Sequence, residues 1–275
     1  MSGMTHDSGA IHPEPGEARE VLPLQFVEEV SHVGNAPDVC PYLPDRVATY
    51  RVCEGDLAAQ RYEELLVAGY RRNGAYLYRP VCRECNECKM LRVLVREFHR
   101  TKEQRRIWNR GNRTFRVSLA RPRFTQEKGR LYSEYLRYQH GAEHAAWERE
   151  AYGRFLVESC IGPRTIEVQL RAGDRLAGVG ILDRLGNALS SVYFYFDPAF
   201  ARHSPGTYSA LYEIDLARQW GMDYYYLGFY IRGCPSMSYK ARFRPCEYKA
   251  PDDAVWRRVE RQMPQPGNEP PMNTD

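Results

Sequence analysis

The 275-residue chain contains no run of about 18 apolar residues, so nothing in it reads as a membrane-spanning helix. Its first 20 residues, MSGMTHDSGAIHPEPGEARE, lack the basic and then apolar regions of an export signal. These two absences lead us to expect a cytoplasmic protein with no membrane contact. A surplus of one charge is also missing: 39 Lys plus Arg stand against 35 Asp plus Glu, and the net charge of +4 is too small to demand a polyanionic partner. No repeat is visible, which excludes an array architecture. A local scarcity of glycine is the most informative absence. Residues 201–230, ARHSPGTYSALYEIDLARQWGMDYYYLGFY, read as turn, helix and strand, with a single glycine, Gly206, where the helix begins. A helix start that grips a pyrophosphate needs several glycines so that backbone amides can approach the anion. Here Pro205 has no N–H, and Thr207 and Tyr208 add bulk.

What is present is a globular composition, 43% hydrophobic and 27% charged, with enough apolar material for a real core. The positive charge is unevenly placed. Between residues 92 and 123, eleven Lys and Arg (among them Arg92, Arg100, Lys102, Arg105, Arg106 and Arg110) face only Glu97 and Glu103, interleaved with Phe98, Trp108 and Phe115. Such a tract is either a solvated helix face or a phosphate-binding surface. Eight cysteines in a chain without an export signal argue against a disulfide framework. Cys82, Cys85 and Cys88 form C-x-x-C-x-x-C, so their thiolates face one ion or are reduced and buried.

The coarse organisation follows from periodicity and punctuation. Residues 1–20 and the proline-rich 263–275 read as tails. Residues 21–125 and 126–262 read as two units. Ala58, Tyr62, Leu65, Leu66 and Gly69 share a helical face behind a possible cap at Asp56. Thr101 and Gln104 form a capping box for the basic helix. TFRVSLA reads as a strand and KGRLYSEYLRYQH as a helix. Three strands, TIEVQLR, RLAGVGIL and ALSSVYFYFDP, are separated by AGD and LGN turns and form an antiparallel meander. Ser204 and Pro205 open a helix with Ala210, Ile214 and Ala217 inward, Gly221 ends it, and DYYYLGFYI follows as a strand. A strand, a helix and a neighbouring strand make a crossover, which places a parallel pair in an otherwise antiparallel sheet. The fold class is α+β, with a mixed, mostly antiparallel sheet.

A crossover with a helix start at a strand end is the feature on which coenzyme A-dependent N-acetyltransferases build their site, and the second half is expected to be acetyltransferase-like. The poor glycine content implies another acyl carrier. VYFYFDP, GTY and YYYLGFYIRGCPSMSYKARFRP resemble the C-terminal half of the aminoacyl-tRNA–protein transferases, the family of eukaryotic arginyltransferase and bacterial aspartate/glutamate leucyltransferase. CPYLPDRVATYRV, LLVAGYRRNGAYLYRPVCRECNECKMLRV and RTKEQRRIWNR resemble the leucyltransferase's opening blocks in the same order. The resemblance implies an enzyme that moves an amino acid, leucine rather than arginine, from its tRNA to the N-terminus of a protein beginning with Asp or Glu, marking it for degradation. An aminoacyl ester is already activated, so no cofactor is required for the chemistry, and aminoacyl-tRNA is the co-substrate.

The site must deprotonate an amine, stabilise an oxyanion and return a proton to the leaving ribose oxygen. Asp197 is the candidate base, with Tyr193 and Tyr195 as proton carriers; an Asp before Pro also forms turns. Arg202, Gly206, Thr207, Tyr208 and Gly228 are candidates for the acyl group and the tRNA 3′ end. Lys240 and Arg242, with Arg79 and Arg92 as further choices, are candidates for the acceptor carboxylate, and Arg100, Lys102, Arg105, Arg106 and Arg110 for tRNA phosphates. The family's eukaryotic members imply that Cys40 joins Cys82, Cys85 and Cys88 around zinc or an iron–sulfur centre, although the partner position of their first motif is Leu43 here. A coenzyme A-dependent acetyltransferase and a non-enzymatic RNA-binding module are the competing readings.

Overall fold

In a computed structural model the described residues are 25–30, 39–54, 59–141, 148–251 and 253–259. Both expected tails, and the expected cap at Asp56, lie outside them. The first part of the chain forms β1 (Gln25–Val30), β2 (Tyr50–Glu54), α1 (Ala59–Val67), β3 (Arg71–Asn73) and β4 (Tyr76–Pro80). Their strands make an antiparallel sheet ordered β1-β2-β4-β3. The helical period read from the sequence is realised in α1, whose Tyr62, Leu65 and Leu66 are buried against Leu77, Met90 and Phe229.

The second sheet has eight strands. It draws on β5 (Lys89–Leu94), β6 (Arg116–Ala120), β7 (Thr165–Ala172), β8 (Arg175–Arg184), β9 (Ala188–Phe196), β10 (Tyr224–Tyr230), β11 (Cys246–Lys249) and β12 (Arg257–Arg258), in the order β12-β11-β5-β10-β9-β8-β7-β6. The meander β7-β8-β9 is antiparallel as expected, and β9 and β10 form the parallel pair. β5 lies between β10 and β11, and β6 forms an edge, so residues on both sides of position 125 build one sheet.

Helices α2 (Lys102–Thr114), α3 (Gln126–His140), α4 (Arg149–Tyr152), α5 (Pro205–Gln219) and α6 (Pro235–Ser238) pack around this sheet. α2 begins at the expected capping box: Gln104 N–H donates to Thr101 Oγ1 at 3.2 Å and Thr101 N–H to Gln104 Oε1 at 2.9 Å. α2 then crosses α5, where Gly111 meets the ring of buried Tyr208; any side chain at 111 would occupy the same space as that ring. α5 carries Ala210, Leu211, Ile214 and Ala217 into the main core and ends before Gly221, whose φ of +72° only glycine takes without strain. α3 covers the far side of β8 and β9 with an aromatic cluster of Tyr132, Tyr135, Tyr152, Tyr193 and Tyr195.

Candidate active site

β9 and β10 pair over only three residues each, Ala188–Ser190 against Tyr224–Tyr226, and then part. Past that point β9 continues through Ser191 to Phe196 and β10 through Gly228 to Tyr230, leaving two strand edges that no longer bond to each other. Edges of this kind, beside a helix start, make a place for a ligand in a crossover unit.

Arg71 reaches into the parting from β3. Its guanidinium donates to Ser190 Oγ at 3.1 Å and to the carbonyl oxygen of Ser191. On the other side stands Gly228, at φ +85° beside a bulge in the β10–β5 ladder; a Cβ there would lie 3.0 Å from the Arg71 guanidinium. Lys240 closes the group. Its Nζ donates to the Phe229 carbonyl at 2.9 Å and contacts Met237 Sδ at 3.1 Å. Burial first, and then the neighbouring Arg71 charge, bring the Lys240 ammonium down to about 7, so the amine is part neutral at physiological pH.

A second buried group lies behind Ser191. Glu213 of α5 accepts from Ser209 Oγ at 2.6 Å and from the Tyr225 hydroxyl at 2.5 Å, and it hydrogen-bonds Ser191. Burial pushes its carboxyl above the ordinary range, while those three bonds pull the other way. Sequence reasoning missed Arg71, Ser191, Tyr225 and Glu213. A signal existed for the last: Ser209 and Glu213 stand four apart on a helix, on the same side as inward Ala210 and Ile214.

The start of α5 is the other landmark. Ser204 takes φ +55°, Pro205 is the first helical residue, and the Ser204 hydroxyl accepts from Arg110 at 3.4 Å instead of capping the helix. The Phe194 ring occupies the space before Gly206, 3.7 Å from where its Cβ would be. Arg202 is exposed and donates to His203 Nε2 at 3.2 Å. Burial and the charges of Arg202 and Arg110 lower the His203 pKa. Thr207 is half-buried, whereas Tyr208 is committed to packing, with its hydroxyl on Asn112 Oδ1 at 2.9 Å.

Several candidates stand in other settings. Asp197 is buried, caps Ala199 N–H at 2.9 Å and pairs with Arg175 at 2.5 Å, so both its oxygens are engaged and it is a turn former here. Tyr195 is fully buried against the Tyr152 hydroxyl at 2.6 Å, and burial drives the Tyr193 and Tyr195 phenols well up, so both are core residues under α3. Arg92 is stacked between Tyr224 and Trp256, at 3.8 and 4.0 Å, and bound to Glu247 at 2.7 Å. Arg79 donates to the Ala68 carbonyl and lies over Tyr70. Arg242 is exposed on the turn after Lys240, and its carbonyl accepts from Gln104 at 3.2 Å. On α2, Lys102, Arg105 and Arg106 are exposed, while Arg100 pairs with Asp215 and stacks on Trp108.

The cysteines gather without forming a coordination sphere. Burial and the proximity of Cys40, Cys82 and Cys85 raise the Cys88 thiol strongly, and Cys82 Sγ is already in contact with the Thr49 backbone. Among the described residues no three metal-ligating side chains are placed to hold an ion. The zinc or iron–sulfur site that the resemblance implied is therefore not assembled there.

A parted parallel pair, a half-buried lysine beside it and a helix start with a single glycine, Gly206, in contact with the Phe194 ring make up the candidate site. The profile described as "Arginine-tRNA-protein transferase, N terminus" matches residues 38–106, and that described as "Arginine-tRNA-protein transferase, C terminus" matches 127–250. Aspartate/glutamate leucyltransferase of Chromohalobacter salexigens is 36% identical over 241 residues, 86% of this chain and 96% of that protein. The Hahella chejuensis enzyme of the same name is 35% identical over 220 residues, 78% of this chain and 92% of that protein. The chain belongs to this aminoacyl-tRNA–protein transferase family and is an aminoacyltransferase. Among solved structures, L-PGS from Bacillus licheniformis is similar at 13% identity and TM-score 0.41, over 52% of this chain and 45% of that one.

Proposed function

We propose that the protein transfers leucine from leucyl-tRNA to the α-amino group of proteins that begin with Asp or Glu, marking them for degradation. The observation that supports this reading is the identity of 35–36% over most of the chain to proteins named aspartate/glutamate leucyltransferase. The cations at the parting of β9 and β10 suit an acidic acceptor.

In the proposed reaction the acceptor's α-ammonium passes a proton to the neutral Lys240 amine, whose lone pair is not used by its contacts with Phe229 and Met237. The freed amine attacks the ester carbonyl carbon, a C–N bond forms, and the C–O bond to the ribose breaks. As the tetrahedral species collapses the attacking nitrogen sheds its second proton, and the Ser191 hydroxyl, hydrogen-bonded to Glu213, relays that proton to the leaving ribose oxygen. Positioning two substrates provides most of the acceleration, since the ester is already activated. The tRNA acceptor end runs along the exposed face of α2, Lys102, Arg105 and Arg106, towards Arg110 and Arg202 at the start of α5. The test offers radiolabelled leucyl-tRNA, arginyl-tRNA or acetyl-CoA with peptides beginning Asp, Glu or Ala. Leucine incorporation confined to the acidic peptides is expected. Acetylation, or arginine in place of leucine, overturns the reading.

A further inference from the structure

Four cations are buried among the described residues: Arg71, Arg72, Arg92 and Lys128. Three of them meet a carboxylate, Arg72 on Asp183 at 2.7 Å, Arg92 on Glu247 at 2.7 Å and Lys128 on Glu167 at 2.6 Å. Arg71 does not. Its hydrogen-bond partners, the Ser190 hydroxyl and the Ser191 carbonyl, are both neutral, and the charged side chain beside it, Lys240, is of the same sign. Leaving a guanidinium buried without a counter-charge is costly, so an arrangement that holds one has a reason to do so.

The location indicates the reason. Ser190 is the last β9 residue paired with β10, and Ser191 is the first beyond the pairing, where it is half-exposed. The guanidinium is thus fixed by backbone and hydroxyl at the apex of the parting, and Gly228 keeps the opposite wall free of a side chain. A guanidinium has five N–H donors, and the contacts with Ser190 and Ser191 leave others for a ligand. A planar fork with a full positive charge fits a carboxylate, whereas a carboxamide in its place leaves the charge unmet.

We propose that Arg71 is the specificity-determining residue that binds the acidic first side chain of the acceptor. This inference rests on the function proposed above and goes further by assigning acid selection to one buried arginine of β3 rather than to the exposed Arg242 or the glutamate-bound Arg92. Leucine transfer is measured as kcat/KM for peptides that differ only in their first residue, Asp against Asn and Glu against Gln, in the wild type and in Arg71→Gln and Arg71→Lys. The wild type is expected to favour each acid over its amide by at least roughly 30-fold, the order expected for a buried charge contact. Arg71→Gln loses that preference, with transfer to the acids falling relative to their amides whatever change the lost charge beside Lys240 brings to all four peptides; Arg71→Lys keeps the preference at reduced kcat/KM. A uniform loss across all four peptides would mark Arg71 as structural, and an undiminished preference would place acid recognition elsewhere; either overturns the inference while leucyl transfer by the wild type still stands. If neither variant folds, hydrogen exchange on the wild type decides: an Asp-peptide, and not its Asn counterpart, slows exchange in residues 71–73. Equal exchange with both peptides overturns the inference.

Discussion

Arg71 and Gly228 compete for one volume: the guanidinium lies 3.0 Å from the point where a Cβ on residue 228 would stand, and the backbone there has φ +85°. Two requirements therefore coincide at one residue, a left-handed backbone and space for a cation. Gly228→Ala is expected to cost about 1–3 kcal/mol of stability from the backbone conformation alone. It also displaces Arg71, so kcat/KM should fall more than stability explains. Thermal melting together with acceptor kinetics checks this, and a variant with normal kcat/KM for acidic peptides would show that the close approach is dispensable.

Lys240 sets a pH dependence with a definite sign. Its proton affinity is lowered to about 7 by burial and by Arg71, partly offset by Cys234, whereas in the unfolded chain it titrates near 10.4. Between those values the unfolded chain binds the extra proton, so this group's contribution to stability is full above the unfolded value and declines as pH falls towards 7. Lys240→Met should accordingly exceed the wild type in stability at pH 7, and the gap should close as pH approaches 10. The variant should also lose the rise of kcat/KM through pH 7, while Asp197→Asn, which alters a turn cap, leaves that rise in place. Urea melts at several pH values and pH–rate profiles read both effects.

The pair between Arg72 and Asp183 is fully buried, with Nε on Oδ2 at 2.7 Å and further bonds from Arg72 to the Gly74 and Glu158 carbonyls and from Thr165 to Asp183. It ties β3 to the large sheet. Removing one partner strands the other charge, so Asp183→Ala is expected to destabilise by about 3–5 kcal/mol. Equilibrium denaturation measures it. A loss below about 1 kcal/mol would mean that the interior there admits water freely.

Exposed Arg105 and Arg106 should each neutralise one tRNA phosphate. Replacing both by Gln is expected to reduce the slope of log K for leucyl-tRNA against log salt by about 1.4, from a contribution of roughly 0.7 per contact. Transfer with saturating tRNA should change little. Binding titrations across ionic strength settle the point, and an unchanged slope would assign the RNA surface to another face.

The elements that carry the site were legible because their signals are local. The three-strand meander, the crossover helix between Ser204 and Gly221, and the capping box of α2 each depend on periodicity or on a residue within a few positions. That Cys40 lies near Cys88 followed from the family resemblance and not from any local pattern. The particular side chains were not legible. Asp197 before Pro198 read locally as either a base or a turn former, and its pairing with Arg175, 22 positions away in sequence, was not legible. Tyr193 and Tyr195 were placed on the right strand, but only the packing of α3 shows that both face the core.

By itself, the amino-acid sequence determined an α+β chain with one parallel pair, a helix start with one glycine behind a proline, and a basic helix next to it, because propensity, capping and the missing N–H of proline act over a few residues. The tertiary structure decided which of the buried cations among the described residues is left without an acid. Arg71 and Arg72 are neighbours in a strand of three residues and point to opposite sides. One meets Asp183, 111 residues away, and the other reaches Ser190, 119 residues away, where two strands separate. Pairing of charges over such separations is settled by how the sheets pack, and no local pattern records it.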